Sequence, residues 1–391
     1  MLGNFSAVNT AAVTVSSESS IEDINVPLEA VATNATIGQT LDIKAKSVIL
    51  MEVSTGQILY ESNSDEKLAP ASITKIMSLL LVMEAIKRKD ITVETVVTAS
   101  EHACSMGGSQ IWLEPGESMT VDELLKATVI ASANDACVAL GEQIAGSEEG
   151  FVALMNERAK QLGMNNTTFI NCTGLDAEGH LTSAHDVAVM SKELIKHDLI
   201  KKYSTVWMDS LRDGNSELVN TNKLVRFYEG TTGLKTGTTG IAKYCLSATA
   251  ERNGLQLVAV VMAGETSNDR FSGAKKLLDY GFANYSYQLL TSNLKEKDIE
   301  IKKGTLKKVK VSCDDTVSIL LPKTAKQEIT RTVEWNKDIT APIKKGAVLG
   351  YVNVFSGKNQ VGRLEVKALE DVEKLTPFVT ARWILSGIFK I

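Results

Sequence analysis

The apolar residues of this chain change their spacing twice, and this change limits the possible folds more than any other feature. Up to about residue 200, segments with a helical period alternate with short polar stretches. From Gly233 to Ala263 the pattern is that of strands, with Arg252-Asn253-Gly254 as a hairpin turn, and a helix is predicted over residues 269–284. Helices packed on an antiparallel sheet make an α+β domain, which we predict for residues 42–284.

The second change comes after that domain. Residues 295–374 alternate apolar and polar side chains, as in Val309-Lys310-Val311, with charged turns between the runs. This pattern predicts a small β-sandwich, and we assign residues 285–375 to a β-rich C-terminal domain. A length of 391 residues fits two domains, and the net charge of -5 argues against a nucleic-acid partner.

Both ends of the chain differ from these domains. Residues 1–41 are rich in Ser, Thr, Asn and Ala, which predicts a flexible leader or the remnant of a signal peptide whose basic and apolar regions are incomplete. Residues 376–391 are strongly apolar, with Arg382 and Lys390 as their only charges. They are too short to span a bilayer, so we predict an amphipathic helix that anchors the chain to a membrane surface; the alternative is a helix docked on its own domain.

Ser72 and Lys75 lie three residues apart at the start of an apolar, helix-like run, so their side chains are expected on the same side of the helix. This pair alone is a weak signal, because an N-cap serine followed by a solvated lysine has the same spacing. The same spacing recurs in this chain at Ser64/Lys67, Ser272/Lys275 and Ser292/Lys295. Other residues must therefore identify a site.

Two further triplets occur once each, Ser132-Ala133-Asn134 and Lys235-Thr236-Gly237. Ser132 lies on the predicted connection between helices over residues 121–131 and 135–144, where functional groups are often displayed. Ser-x-x-Lys, Ser-x-Asn and Lys-Thr-Gly, in this order, are the motifs of penicillin-binding proteins and class A β-lactamases. The set is specific although each member is not.

Longer runs around these motifs, at residues 70–75, 132–140, 171–176 and 233–239, resemble low-molecular-mass D-alanyl-D-alanine carboxypeptidases of peptidase family S11. The resemblance covers about residues 42 to 284, and the β-rich module with its terminal anchor is similar to the C-terminal architecture of that family. It implies a serine-type enzyme that removes the terminal D-alanine from peptidoglycan stem pentapeptides through an acyl-enzyme. It also implies covalent binding of penicillin and other β-lactams.

Chemistry explains why such an enzyme needs these residue types. A serine hydroxyl becomes a good nucleophile when a neighbouring base removes its proton, and Lys75 can be that base only when it is uncharged. Lys235 could supply a charge that favours this state. The resemblance implies that Ser72 attacks, that Lys75 accepts its proton and that Ser132 relays a proton to the leaving amine. Asn134 would orient both the substrate and Lys75.

The third motif is expected to bind the substrate's terminal carboxylate. Lys235 would supply the charge, with hydroxyl donors nearby. The resemblance implies an oxyanion site made of the backbone N–H groups of Ser72 and Thr238. Some family members carry histidine at the position of Thr238, which bears on substrate preference. The predicted substrate-binding residues are Asn134, Lys235, Thr236, Gly237, Thr238 and Thr239.

Histidine and cysteine chemistry is disfavoured. No Gly-x-Ser-x-Gly elbow accompanies the histidines, so we interpret them as surface or supporting residues and expect neither a Ser-His-Asp triad nor a metal site. The histidines are His102, His180, His185 and His197. The five cysteines are scattered without a Cys-x-x-Cys pair and are interpreted as buried thiols. We expect no cofactor.

Three alternative functions remain open. A class A-like β-lactamase would share the motifs, but residues 165–176 contain no glutamate for deacylation. A non-catalytic receptor for wall peptides would not need the intact Ser72 and Lys75. Endopeptidase action on cross-links is compatible with the same site. The expected substrate lies outside the cytoplasm, which predicts a protein anchored peripherally to the outer face of the bacterial cytoplasmic membrane.

Overall fold

The computed structural model describes residues 21–24, 40–323, 328–379 and 381 of the chain. The chain divides into two compact units, which we call the larger unit, Thr36–Tyr285, and the smaller unit, Ser286–Ile391 together with Met1–Ala35. The described strands are β1 (Ile21–Ile24), β2 (Ser47–Glu52), β3 (Ile58–Ser62), β4 (Val96–Thr98), β5 (Ser118–Thr120), β6 (Met208–Leu211), β7 (Ser216–Val219), β8 (Thr231–Thr239), β9 (Lys243–Arg252), β10 (Leu255–Gly264), β11 (Tyr285–Thr291), β12 (Lys297–Glu300), β13 (Lys308–Ser312), β14 (Thr316–Pro322), β15 (Ile329–Trp335), β16 (Val348–Ser356) and β17 (Asn359–Ala368).

A short helical stretch at residues 377–379 belongs to the smaller unit, and the larger unit contains the following helices. They are α1 (Lys75–Arg88), α2 (Glu101–Cys104), α3 (Val121–Lys126), α4 (Asn134–Ala145), α5 (Glu148–Gln161), α6 (Ala184–Ile195), α7 (Asp198–Ser204), α8 (Leu224–Phe227) and α9 (Ser267–Asn284). A 3-10 turn, Ala71–Thr74, leads into α1, and a π-helical turn, Ala127–Ala131, extends α3. The helix predicted over residues 121–131 is therefore α-helical only in its first half.

An antiparallel sheet forms the centre of the larger unit, with the described strands in the order β3-β2-β10-β9-β8. Strand β10 is buried on both faces. On one face, a Cβ added to Gly281 of α9 would lie 2.5 Å from Leu257, so this helix packs closely on the sheet. On the other face, Val258 and Val260 join the core formed with the remaining helices. Burial on both faces explains why β10 reads as a continuous apolar run.

Helix α1 is surrounded by other elements, because Ile76, Met77, Leu79 and Leu80 are all buried. A helix with apolar residues on every side needs such a position. It ends where Lys89 adopts a left-handed conformation with φ of 66°. Lys75, its first residue, is consequently drawn into the interior of the unit.

The smaller unit is β-rich, as the sequence predicts. Its described strands form one sheet in the order β1-β15-β16-β17-β13-β12 and a two-stranded sheet of β11 and β14, which share a single apolar core. Strand β1, inside the predicted leader, pairs antiparallel with β15. The anchor predicted for residues 376–391 lies outside the described residues from residue 382 onwards. Among the described residues, no helix combines the length and apolar character needed to cross a membrane.

Candidate active site

Ser72 and Lys75 are adjacent in the structure. Ser72 lies in the 3-10 turn before α1 and is half-buried, whereas the side chain of Lys75 is fully buried. The Lys75 Nζ donates a hydrogen bond to Ser72 Oγ over 3.0 Å. The two groups are therefore placed for direct proton transfer.

Two other oxygens bind the same amine. Lys75 Nζ donates to Asn134 Oδ1 over 2.5 Å and to the carbonyl oxygen of Thr173 over 2.8 Å. Both oxygens can only accept hydrogen bonds. When the amine is uncharged, these two acceptors take its two N–H groups and its lone pair faces Ser72 Oγ. The geometry thus orients a base toward the serine.

Burial also favours the uncharged form of this amine. It lowers the pKa of Lys75 to about 8, against the opposing influence of Cys137, Cys172 and Asp135. The uncharged fraction of Lys75 therefore becomes large at slightly alkaline pH.

The Thr173 carbonyl is fixed by a turn that the side chain of Asn171 stabilises. Asn171 Oδ1 accepts from the N–H groups of Thr173 and Gly174 over 3.2 and 2.7 Å, and its Nδ2 donates to the Leu175 carbonyl. Gly174 has a φ of +88°, and a Cβ there would lie 1.9 Å from the Ala71 carbonyl oxygen. In the sequence, residues 171–176 carry only the family resemblance and predict no role for Thr173.

His180 supports the 3-10 turn Ala71–Thr74, which we call the serine turn, and does not contact Ser72. Its Nδ1 accepts the N–H of Ile170 over 3.0 Å, so Nε2 carries the proton, and it lies 2.9 Å from Thr74 Oγ1. Burial lowers the pKa of His180 to about 4. The ring is therefore neutral with both nitrogens engaged, in agreement with its interpretation as a supporting residue.

Ser132 and Asn134 lie at the junction of the π-helical turn and α4. Ser132 is buried and has a left-handed backbone with φ of 64°. Asn134 opens α4, and its Nδ2 donates to the Gly107 carbonyl over 2.6 Å, which leaves Oδ1 to accept from Lys75. The left-handed residue explains why the serine lies on a sharp connection, as predicted from the sequence.

Strand β8 carries the third motif against the serine turn. A Cβ added to Gly237 would lie 2.9 Å from the Pro70 carbonyl oxygen and 3.0 Å from the backbone nitrogen of Ile73. Only a residue without a side chain permits this approach. Lys235, two residues earlier, is 1% exposed and donates to the carbonyl of Thr236 over 3.1 Å.

Burial lowers the pKa of Lys235 well below its usual value, and the positive charges of Lys75 and Arg270 lower it further. An anion placed beside Lys235 would offset this repulsion. The site is therefore suited to a carboxylate.

Thr236 of the third motif and the two threonines that follow it, Thr238 and Thr239, have different partners. Thr236 Oγ1 donates to Thr221 Oγ1 over 2.7 Å, and Thr238 Oγ1 donates to the Gly237 carbonyl over 2.8 Å. Thr239 Oγ1 donates to Asp176 Oδ1 over 2.7 Å. The hydroxyl of Thr239 thus joins β8 to the segment after Gly174.

Arg270 is a site residue that the sequence analysis missed. From α9 its Nη1 donates to Thr238 Oγ1 over 2.8 Å and to the Gly237 carbonyl over 3.0 Å. Its guanidinium lies over the rings of Tyr244 and Phe271. Because a guanidinium only donates, the oxygen of Thr238 accepts here while its O–H donates to the Gly237 carbonyl.

A serine hydrogen-bonded to a buried lysine, with a second buried lysine on a neighbouring strand, is the arrangement found in the class of acylating serine enzymes that includes penicillin-binding proteins and β-lactamases. The chain matches the D-alanyl-D-alanine carboxypeptidase family, peptidase S11, over residues 32–266, and the C-terminal domain of penicillin-binding protein 5 over residues 286–374. It belongs to peptidase family S11 and is a serine-type D-alanyl-D-alanine carboxypeptidase, as the sequence motifs predict.

Individual relatives agree with this assignment. D-alanyl-D-alanine carboxypeptidase DacF of Bacillus subtilis is 45% identical over 336 residues, which cover 85% of this chain and 86% of that protein. The structure of penicillin-binding protein 5 from Haemophilus influenzae is similar with a TM-score of 0.71 and 30% identity, over 86% of this chain and 99% of that one. Penicillin-binding protein D2 from Listeria monocytogenes, solved in an ampicillin-bound form, has a TM-score of 0.57 and 30% identity, over 62% of this chain and 100% of that one.

Proposed function

We propose that Ser72, Lys75 and Ser132 carry out the peptidase reaction. Ser72 Oγ attacks the carbonyl of the penultimate D-alanine while its proton passes to Lys75 Nζ. The observation that carries this proposal is the set of three contacts of Lys75 Nζ, to Ser72, Asn134 and Thr173. The contacts with Asn134 and Thr173 use the two N–H groups of the uncharged amine, so its lone pair is free to accept the serine proton.

The acyl-enzyme forms when the peptide bond breaks. The proton held by Lys75 passes through the Ser132 hydroxyl to the amine of the departing D-alanine, which leaves as the free amino acid. Water then adds to the Ser72 ester while Lys75 accepts its proton. The bond to Ser72 Oγ breaks, Lys75 returns the proton to this oxygen, and the shortened peptide leaves with a free carboxylate. Backbone N–H groups of Ser72 and Thr238 are proposed to stabilise the oxyanion in both steps.

The terminal carboxylate of the substrate is proposed to bind Lys235, Thr236 and Thr238. The O–H of Thr238 turns from the Gly237 carbonyl to the carboxylate, while Arg270 continues to donate to its oxygen. A bound carboxylate stabilises the charged form of Lys235.

The substrate class follows from this arrangement. We infer that the enzyme removes the terminal D-alanine from peptidoglycan stem pentapeptides and that β-lactams acylate Ser72. The ampicillin-bound form of the Listeria relative supports the second inference. Such a substrate places the enzyme outside the cytoplasm.

Peripheral membrane anchoring through residues 376–391 is a separate proposal, supported by their apolar sequence with Arg382 and Lys390. The full chain should sediment with anionic lipid vesicles, and a chain ending at residue 375 should remain in the supernatant. Equal sedimentation of the two chains would exclude this anchor.

Release of D-alanine tests the proposed reaction. The protein is incubated with diacetyl-L-Lys-D-Ala-D-Ala, and free D-alanine is measured for the wild type and for Ser72→Ala. We expect release only by the wild type. No release by folded wild-type protein would favour the receptor alternative, and rapid steady-state hydrolysis of penicillin would favour the β-lactamase alternative.

A further inference from the structure

Trp112 is an exposed aromatic residue on the loop whose Gly107 and Ser109 carbonyls bind Asn134. Its side chain is 74% exposed, while its neighbours Ile111 and Leu113 are 6% and 5% exposed. Its backbone has a φ of 60°, in the left-handed region that a bulky residue seldom adopts. An exposed aromatic residue held in a strained conformation is a candidate for function.

The strained conformation is held from both sides by hydrogen bonds. The N–H groups of Ile111 and Leu113 both donate to the carboxylate of Asp135, over 3.1 Å to its Oδ2. Arg212 donates to the carbonyl of Ile111 over 2.9 Å and to that of Trp112 over 3.4 Å. Arg212 is itself fixed by two bonds to Glu117, of 2.8 and 3.1 Å. The backbone around Trp112 is therefore firmly positioned.

The same loop is attached to the catalytic lysine. Asn134, which binds Lys75, donates its backbone N–H to the Ser109 carbonyl over 2.7 Å and its side chain to the Gly107 carbonyl. A Cβ added to Gly108 would lie 2.9 Å from Asn134 Nδ2 and 3.7 Å from the side chain of Leu175. Leu175 is a partly exposed apolar residue two positions after Thr173, the other partner of Lys75.

The loop that binds Asn134 and the segment that follows Thr173 thus each carry an apolar side chain that is exposed to solvent, Trp112 and Leu175. The substrate's carboxylate is assigned to β8, one residue beyond the bond that Ser72 attacks. The peptide on the acyl side of that bond must therefore leave the serine away from Lys235. The segments of Asn134 and Thr173 are the ones it meets.

We propose that Trp112, together with Leu175, forms an apolar subsite for the side chain of the residue that precedes D-Ala-D-Ala. This inference rests on the proposed function and adds a determinant of substrate length and side-chain type. The ring contacts the aliphatic part of a long side chain, and its fixed position reduces the entropy lost on binding.

The test compares a long and a short substrate. Trp112→Gly removes the ring, and glycine adopts a positive φ without strain, so the unfolding temperature should stay equal or rise. With diacetyl-L-Lys-D-Ala-D-Ala we expect kcat/KM to fall about tenfold, the usual size of a lost apolar contact in a binding pocket. With acetyl-D-Ala-D-Ala, which lacks the long side chain, kcat/KM should not change. Acylation by 6-aminopenicillanic acid should also be unaffected.

Two variants serve as controls. Trp112→Phe keeps an aromatic ring and should retain most of the preference for the long peptide. Phe227→Ala removes a ring of similar exposure, 65%, from α8 and should alter neither substrate's kinetics. Equal losses on both peptides with Trp112→Gly, or no loss on either, would overturn the proposed subsite. A wild-type enzyme that releases no D-alanine at all would instead overturn the proposed function, and the subsite with it.

Direct contact is tested by fluorescence in the inactive Ser72→Ala protein. Adding diacetyl-L-Lys-D-Ala-D-Ala should shift the emission to shorter wavelength as Trp112 leaves water. The shift should disappear in Ser72→Ala/Trp112→Phe. A shift of the same size in both proteins would contradict contact between the peptide and this ring.

Discussion

Gly174 and Ala71 are in backbone contact, so close that a Cβ on Gly174 would lie 1.9 Å from the Ala71 carbonyl oxygen. Ala71 precedes Ser72, and Gly174 follows Thr173, whose carbonyl accepts from Lys75. The serine turn and one of the lysine's acceptors are therefore held together by main chain. We expect the distance between Ser72, the proposed nucleophile, and Lys75, its proposed base, to depend on this contact.

Gly174→Ala should for this reason disrupt the site. We expect a loss of about 3 kcal/mol or more in the free energy of unfolding, from the clash and the strained φ of +88°. Penicillin acylation should slow at least about tenfold, because Lys75 is displaced from Ser72. Thermal unfolding and acylation kinetics measure the two effects.

Gly179→Ala is the matched control. Gly179 has a similar φ of +79°, but no atom lies within 4 Å of an added Cβ. Gly179→Ala should lower the free energy of unfolding by about 1 kcal/mol through backbone strain alone, and the rate of acylation should not change. Indistinguishable behaviour of the two variants would show that the contact with Ala71 does not position the serine.

The pKa of Lys75 predicts the pH dependence of acylation. Because burial lowers this pKa to about 8, the uncharged base becomes more abundant as pH rises toward and through that value. The rate of penicillin acylation should therefore fall about tenfold per pH unit below 8. Stopped-flow or gel-based labelling from pH 5.5 to 9 measures the profile, and His180→Gln should keep the same midpoint. A midpoint near 6.5 that the histidine variant abolishes would contradict a lysine base.

His180 predicts a stability change at acidic pH. Burial holds its pKa at about 4 in the folded protein, against 6.5 for an unperturbed histidine. The unfolded chain thus binds more protons between these values, so stability is full above pH 6.5 and is lost as pH falls toward 4. The loss amounts to about 3 kcal/mol. Urea unfolding of the wild type and His180→Gln at pH 7 and 4.5 should show a smaller pH effect in the variant.

His185 gives the opposite sign and serves as the control. A hydrogen bond to Asp186 raises the pKa of His185, so its contribution is present at low pH and lost as pH rises. His185→Gln should therefore make the protein more sensitive to acid. The same response in both variants would contradict the assignment to His180.

Arg270 predicts an effect on substrate binding. Arg270→Ala removes the hydrogen-bond donor to Thr238 and a positive charge next to β8. KM for diacetyl-L-Lys-D-Ala-D-Ala should therefore rise about tenfold, and kcat should fall by a smaller factor. Combined with Thr238→Val the losses should be less than additive, because both changes affect one interaction. Steady-state kinetics of the two single variants and the double variant measure this coupling.

Arg252 offers a matched control for Arg270. It also lies over two aromatic rings, those of Tyr228 and Phe282, at 4.5 and 4.7 Å. Arg252→Ala should leave KM unchanged. An equal rise in KM for the two arginine variants would point to a general loss of packing.

The sequence predicts β9, β10, α4 and α9 of the larger unit well because each has a local signal. The apolar runs of β9 and β10 with the Asn253-Gly254 turn, and the helical period of α4 and α9, depend only on neighbouring residues. The family follows from three short motifs in order. The π-helical end of α3 was not predictable, because it arises where the chain turns sharply into Ser132.

Two groups that bind residues of the site, the Thr173 carbonyl and Arg270, have no local signal in the sequence. The Thr173 carbonyl is 98 residues from Lys75 along the chain, and Arg270 is 32 residues from Thr238. A carbonyl oxygen is present at every position, and Arg270 lies in an ordinary amphipathic helix. Only tertiary packing shows that one binds the base and the other the substrate-binding strand.

We propose that the Ser72 hydroxyl becomes the acylating nucleophile through Lys75, and peptide mapping after labelling with fluorescent penicillin is the most direct test. Ser64→Ala is the control, since Ser64 has the same spacing to a lysine. We predict that the wild type and Ser64→Ala carry the label on the peptide containing residue 72, and that Ser72→Ala and Lys75→Met carry none. A label at the same peptide of Ser72→Ala would contradict the account.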